Sequence, residues 1–255
     1  MARKFAAIGV VIVAFAAAAF GVGWWYASPP AAVYLSIGDG TQYGCCGKAT
    51  KSSPELFRRY LSNRLERDVA WVTEASGYQT SATFMEGHPE AGIASQFDRS
   101  LQLIEQYGRE QKNVAAITLS IGGNDLVEMG AGCPPTAVCL VEYNAALIRM
   151  KANLETIYSR IADAKDPKTP LLVVLYYNAS DCGQPGVESS PAELGVRGWN
   201  DAIGDIATRH GATLVDLHDP FAGKACKYIV SLDANDAGHV IIGEAYKRAY
   251  EMATK

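Results

Sequence analysis

Five short apolar runs, separated by longer stretches with helical periodicity, constrain this chain more than any other feature. The runs are Val33–Ile37, Val69–Thr73, Val114–Ile121, Pro170–Tyr177 and Thr213–Asp216. The third is apolar nearly throughout and partly β-branched, as a strand buried on both faces is. Between the runs, apolar residues recur at steps of three and four. Phe57, Tyr60, Leu61 and Leu65 form one stripe, and Leu147, Met150, Leu154, Ile157 and Ile161 form another. Strands that alternate with helices predict a parallel sheet covered on both faces. The expected architecture is a three-layer α/β/α sandwich on a five-stranded parallel sheet of flavodoxin-like type. In such a sheet the ligand crevice lies outside the carboxyl ends of the strands.

Helix boundaries follow from capping chemistry. Ser53-Pro54 reads as an N-cap followed by proline at the first helical position. Further helices are expected at about 91–107, 140–164, 191–210 and from Asn235 to about 252, with Asn235 as N-cap.

The N-terminus is a separate unit. Arg3 and Lys4 precede an uncharged apolar run from Phe5 to Tyr26, which as a helix would extend roughly 33 Å, enough to cross a bilayer. Trp24, Trp25 and Tyr26 stand where an aromatic belt would lie. Residues 1–26 therefore read as a membrane anchor or a long signal peptide, 27–32 as a linker and 33–255 as the folded domain. Both readings of the first segment place the domain outside the cytoplasm, either anchored to the membrane or secreted. The balance of 23 Lys+Arg against 27 Asp+Glu gives no basic footprint for nucleic acid.

Six cysteines agree with an exported protein. Cys133 and Cys139 bracket a short loop and are the first expected pair. Cys182 and Cys226 both follow strands and form the second. The state of the neighbours Cys45 and Cys46 stays open. No CxxC-type spacing occurs, so no metal site is expected.

The loops after the strands carry the chemistry. They contain "GDGTQYG" from Gly38, Gly77, "GGND" from Gly122 and, before the last helix, "DANDAGH" from Asp233. These four blocks, in this order, resemble the SGNH hydrolases, also called the GDSL family, over essentially the whole chain from Val33. The resemblance implies hydrolysis of acyl or acetyl esters without a cofactor, and a small-molecule acyl or ester ligand. It implies an oxyanion hole made of the Gly40 N–H, the Gly77 N–H and the Asn124 side chain. The triad is another matter. Gly40 stands at the nucleophile position, Asp233 at the general-base position and Val230 at the third.

Glycine has no atom that can attack a carbonyl, so the acyl-enzyme route is closed. Two readings follow. One is a hydrolase with a rebuilt site, in which Asp233 activates a water in the space the serine side chain would fill. The other is a binding pseudoenzyme that keeps the pocket and its donors. Replacement nucleophiles and bases are weak candidates. Thr41 reads as a hydroxyl at a helix N-terminus, Ser36 as a sheet-facing hydroxyl, and Ser76 and Ser81 as loop hydroxyls. Of the histidines, His88 lies in a polar loop, His210 at a helix end, His218 after the fifth strand, and His239 in the first turn of the last helix as a packed residue. Asp39 and Asp125 are expected to hold their loops through backbone N–H groups.

Overall fold

A computed structural model of the chain describes residues 31–87, 94–131 and 139–255. The N-terminal apolar segment, His88 and Cys133 lie outside the described residues, and with Cys133 the expected Cys133–Cys139 pair. Among the described residues no helix is long and apolar enough to cross a membrane.

Five parallel strands form the central sheet: β1 (Ala32–Gly38), β2 (Val69–Ala75), β3 (Val114–Ser120), β4 (Leu171–Leu175) and β5 (Thr213–Asp216). Their order is β2-β1-β3-β4-β5, the expected doubly wound arrangement, in which the strand order reverses between β1 and β3. β1 pairs with both neighbours, and the register sets Gly38 beside Ala75 on one side and Ser120 on the other. The exits of β1, β2 and β3 therefore lie side by side.

The principal helices are α1 (Gly40–Tyr43), α2 (Ser53–Leu65), α3 (Ser81–Glu86), α4 (Gln96–Arg109), α5 (Gly123–Ala131), α6 (Leu140–Ala164), α7 (Pro191–Arg209), α8 (His218–Phe221), α9 (Ala225–Tyr228) and α10 (Asp236–Ala253). On one face of the sheet, Leu35, Ile37 and Val173 pack against α4, α6 and α7 through residues such as Leu101, Ile157 and Ile203. On the other, Tyr34, Leu172 and Val215 pack against α2 and α10 through Phe57, Ile242 and Tyr246. Each such large apolar side chain removed from water contributes about 1.5–3 kcal/mol. The alternation within β1 assigns Tyr34 to one core and Leu35 to the next, as a strand buried on both faces requires.

Local chemistry shifts some expected boundaries. Ser52 is the residue before α2, so Ser53 is helical rather than the cap, and Ser52 makes no side-chain capping bond. α4 begins at Gln96 rather than near residue 91, because Ser95 Oγ accepts from the Asp98 N–H and caps it there. Asn235 caps α10 as expected, accepting from the N–H groups of Ala237 and Gly238. Cys182 and Cys226 form a disulfide.

Candidate active site

The turn after β1 is built around a backbone only glycine permits. Gly38 has φ +117°, and a β carbon there would collide with the Ser120 carbonyl. Asp39 follows and turns inward, 4% exposed. Its Oδ1 accepts from the Thr41 N–H at 3.1 Å and from Ser120 Oγ at 2.6 Å; its Oδ2 accepts from the Tyr176 hydroxyl at 2.6 Å. Burial pushes the Asp39 carboxyl up to about 6, against the pull of these donors. Gln42, buried in the same short helix, donates to the Tyr246 hydroxyl and accepts from Thr118 Oγ1. Gly40 thus begins a four-residue helix fixed from beneath by a buried polar network.

Asp233 reaches Gly40 from the far end of the sequence. It lies in a two-strand ladder of β6 (Ile229–Val230) and β7 (Asp233–Ala234), where Val230 pairs with Asp233. The Tyr177 hydroxyl donates to the Leu232 carbonyl and holds the turn between them. Asp233 Oδ1 lies 3.0 Å from the point a β carbon on Gly40 would occupy. Desolvation raises the Asp233 carboxyl above the usual range, and the neighbouring His239 opposes that shift. Val230 is 58% exposed.

The β2 and β3 exits bring up the remaining site positions. The Ser76 N–H donates to the Gly38 carbonyl, tying the β2 exit to β1. Gly77 follows, exposed, with no atom within 4 Å of where its β carbon would be. Asn124 begins its helix one residue in, and its Nδ2 donates to the Gln79 carbonyl of the same β2 loop at 2.9 Å. Asp125 accepts from the Ser81 N–H and hydroxyl at 2.7 and 2.6 Å, a loop clamp as expected.

Other residues close in around Gly40. Cys45 and Cys46 are joined to each other. Cys45 Cβ stands 3.9 Å from the Gly40 β-carbon position, and Cys46 Sγ lies 3.6 Å from Asp233 Oδ2. Sulfurs and carboxylate together offer three atoms of metal-ligating type, all within 4.8 Å of one another. His239 supports this loop from below. Its Nε2 donates to the Cys45 carbonyl at 2.8 Å, and its Nδ1 accepts from the Ser53 N–H at 3.2 Å. Burial holds its pKa below the ordinary value. The loop passes so close to the ring that a β carbon on Gly47 would strike it.

The remaining sequence candidates are engaged elsewhere. Ser36 Oγ is buried, accepting from Trp71 Nε1. The Thr41 N–H caps onto Asp39. His210 bonds Glu155, and His218 bonds Glu193 at 2.8 Å. Two surface depressions of about 440 and 420 Å³ flank β5 and include none of the site positions. Tyr176 and the Cys45–Cys46 pair are the participants that sequence reasoning missed. Tyr176 carried a weak signal, a hydroxyl at the exit of an otherwise apolar strand.

The profile of the GDSL-like lipase/acylhydrolase family matches residues 36–245. The chain belongs to that family. No curated protein gives a significant match. Solved structures with the same fold include a lipase from a goat rumen metagenome, at TM-score 0.64 and 15% identity over 86% of this chain and 97% of the other. An extracellular lipase from Streptomyces rimosus aligns at TM-score 0.61 and 17% identity, covering 88% and 100%. An acetylxylan esterase from Geobacillus stearothermophilus aligns at 0.58 and 15%, covering 86% and 94%. Within this GDSL-like chain, the exits of β1, β2 and β3 and the Asp233 turn are the parts that meet around Gly40.

Proposed function

We propose that this GDSL-like protein acts outside the cytoplasm on an acyl or acetyl ester ligand, and that serine esterase turnover through an acyl-enzyme is weak or lost in it. The observation that carries the reading is the pairing of Gly40 with Asp233: a carboxylate borders the space where a nucleophile's side chain would stand. Ester chemistry is supported by the family and by the lipase and esterase names of the structural neighbours. Gly40, Gly77 and Asn124 supply two N–H groups and an amide for the carbonyl oxygen, a donor set suited to an oxyanion. The extracytoplasmic placement is supported by the Cys182–Cys226 disulfide and by the apolar segment Phe5–Tyr26, which would anchor the chain to a membrane or direct its export.

The upward shift of Asp233 favours a second reading beside simple ligand binding. A carboxylate tuned toward neutral pH serves as general base. A water in the space beside Gly40 would lose its proton to Asp233 and attack the ester carbonyl directly, with no covalent intermediate. The two readings separate in one assay of the unmodified protein, Asn124→Ala and Asp233→Asn on a short-chain aryl ester. Turnover above buffer that drops in both variants establishes the water mechanism. Buffer-level turnover in all three, with ligand binding retained, establishes the pseudoenzyme. Formation of an acyl-enzyme would overturn the proposal itself.

A further inference from the structure

We propose that Cys45, Cys46 and Asp233 form a redox-gated site for a divalent cation of the zinc class, closed when the two cysteines are joined and open when they are thiols. The inference rests on the geometry of this side-chain cluster and does not depend on ester turnover.

Three observations carry it. Both sulfurs and a carboxylate oxygen lie within 4.8 Å of one another. A tetrahedral site with metal–sulfur distances of about 2.3 Å needs its sulfurs about 3.8 Å apart, a separation the two side chains would take up on release from each other. Next, the ligands come from segments already fixed to each other. Cys45 is bound through its carbonyl to His239, and the Lys48 N–H donates to Asp236 Oδ1 at 2.8 Å, three residues past Asp233. The loop carrying the sulfurs is therefore tied at two points to the first turn of α10, which directly follows the strand carrying the carboxylate. Finally, among the described residues Asp233 has no ion-pair partner. Its carboxylate is directed at the cysteines without a lysine or arginine to neutralise it. A cation would supply that charge.

The donor set names the cation. Thiolates select soft and borderline metals over magnesium or calcium, and two sulfurs with one oxygen suit a tetrahedral ion. Three protein ligands leave such an ion one position for water. The chemistry balances with a thiol or phosphine reductant. Two electrons and two protons convert the joined pair to two thiols while the reductant is oxidised, and binding of the divalent ion releases two protons as two thiolates form.

Cobalt(II) is the probe, because thiolate ligation gives it a charge-transfer absorption and a tetrahedral spectrum. The full chain, reduced with a phosphine and freed of excess, is titrated with cobalt(II). The expected result is one equivalent bound with thiolate-to-cobalt absorption, displaced by zinc and absent from the unreduced protein. Asp233→Asn should weaken binding about tenfold or more. The double variant Cys45→Ser/Cys46→Ser, which retains the other four cysteines, should lose the absorption. A spectrum that survives in the double variant would place the metal on the other thiols and overturn the site. So would an unchanged affinity in Asp233→Asn, which conserves shape, or the absence of thiolate absorption in the reduced protein.

Discussion

Asp233 Oδ1 and the vacant β-carbon position of Gly40 are 3.0 Å apart, although 193 residues separate them in the chain. A side chain at position 40 would meet a carboxylate at once, and that contact governs what substitutions can do. Gly40→Ser requires the end of the Asp233 side chain to yield by a few tenths of an ångström, which a flexible carboxylate can do. The variant should fold. It should gain little esterase activity, because a serine facing a carboxylate lacks the imidazole that shuttles its proton. Gly40→Ser/Asp233→His should be labelled covalently by an aryl phosphonate, read as a mass increase, to a greater extent than Gly40→Ser alone. Equal labelling of the two would show that position 233 does not face the nucleophile position.

Any turnover by the unmodified protein should depend on pH through Asp233. The base must be ionised, and desolvation raises its pKa. The rate should therefore fall on the acid side through a midpoint above the ordinary carboxylate range. Asp233→Asn should abolish that limb. A pH profile with the same acid limb in the variant would assign it to another group.

The parts of this molecule legible in its sequence are those set by local rules. Apolar runs such as Val114–Ile121 declare a buried strand, and Asn235 declares a helix start, because each depends on neighbours within a few residues. Gly40 and Asp233 stand out in the sequence because their blocks resemble a family pattern with fixed order, and the structure sets the two side by side. The pairing of Cys182 with Cys226 was suggested by both following strands, although the structure places Cys226 in α9 rather than at the end of β5. What stayed hidden depends on contacts across the fold. Nothing near Cys45 and Cys46 in the chain announces a carboxylate contributed by residue 233, or a histidine at 239 beneath the loop. Tyr176 reads as the end of a strand, and only the sheet register brings its hydroxyl to Asp39. Apolar spacing says little about where α4 starts, whereas one serine hydroxyl at position 95 decides it.

Asp39 makes a linked prediction for stability. Its carboxyl is raised to about 6 by burial, so the folded state holds the proton more tightly than the unfolded chain. The contribution is fully present below about pH 4 and is lost as pH rises through about 6. The shift corresponds to about 3 kcal/mol. Asp39→Asn removes this titration. Urea unfolding at pH 4 and pH 8 should show the unmodified protein losing stability relative to the variant by roughly that amount. A difference independent of pH would mean Asp39 is not raised.

Trp199 connects the core to the site. Its Nε1 donates to the Gly122 carbonyl at 2.7 Å, beside Asn124. Trp199→Phe keeps an aromatic ring but leaves that carbonyl without its donor, at a cost of about 1–3 kcal/mol. The melting temperature should drop by several degrees. Ligand affinity should weaken as well if the turn carrying Asn124 shifts, and Asn124→Ala in the same background should then cost less than it does alone.

His239 acts in the opposite sense to Asp39. It is 1% exposed, and its ring can satisfy both contacts only when neutral, with the proton on Nε2 facing the Cys45 carbonyl and Nδ1 free to accept from Ser53. Burial lowers its pKa, so the unfolded chain takes up a proton first as pH falls. Its contribution is complete above about pH 6.5, the ordinary histidine value, and declines below it. His239→Ala should cost about 3 kcal/mol at pH 8, from the orphaned Ser53 and Cys45 groups and the cavity left against Gly47. That cost should shrink toward pH 5, because the unmodified protein weakens there while the variant has no imidazole at this position to protonate. Denaturant unfolding of both proteins across pH 5–8 measures the difference directly. A cost that grew on acidification would require a charged His239 in the folded protein, and the hydrogen bond from Ser53 would then be misassigned.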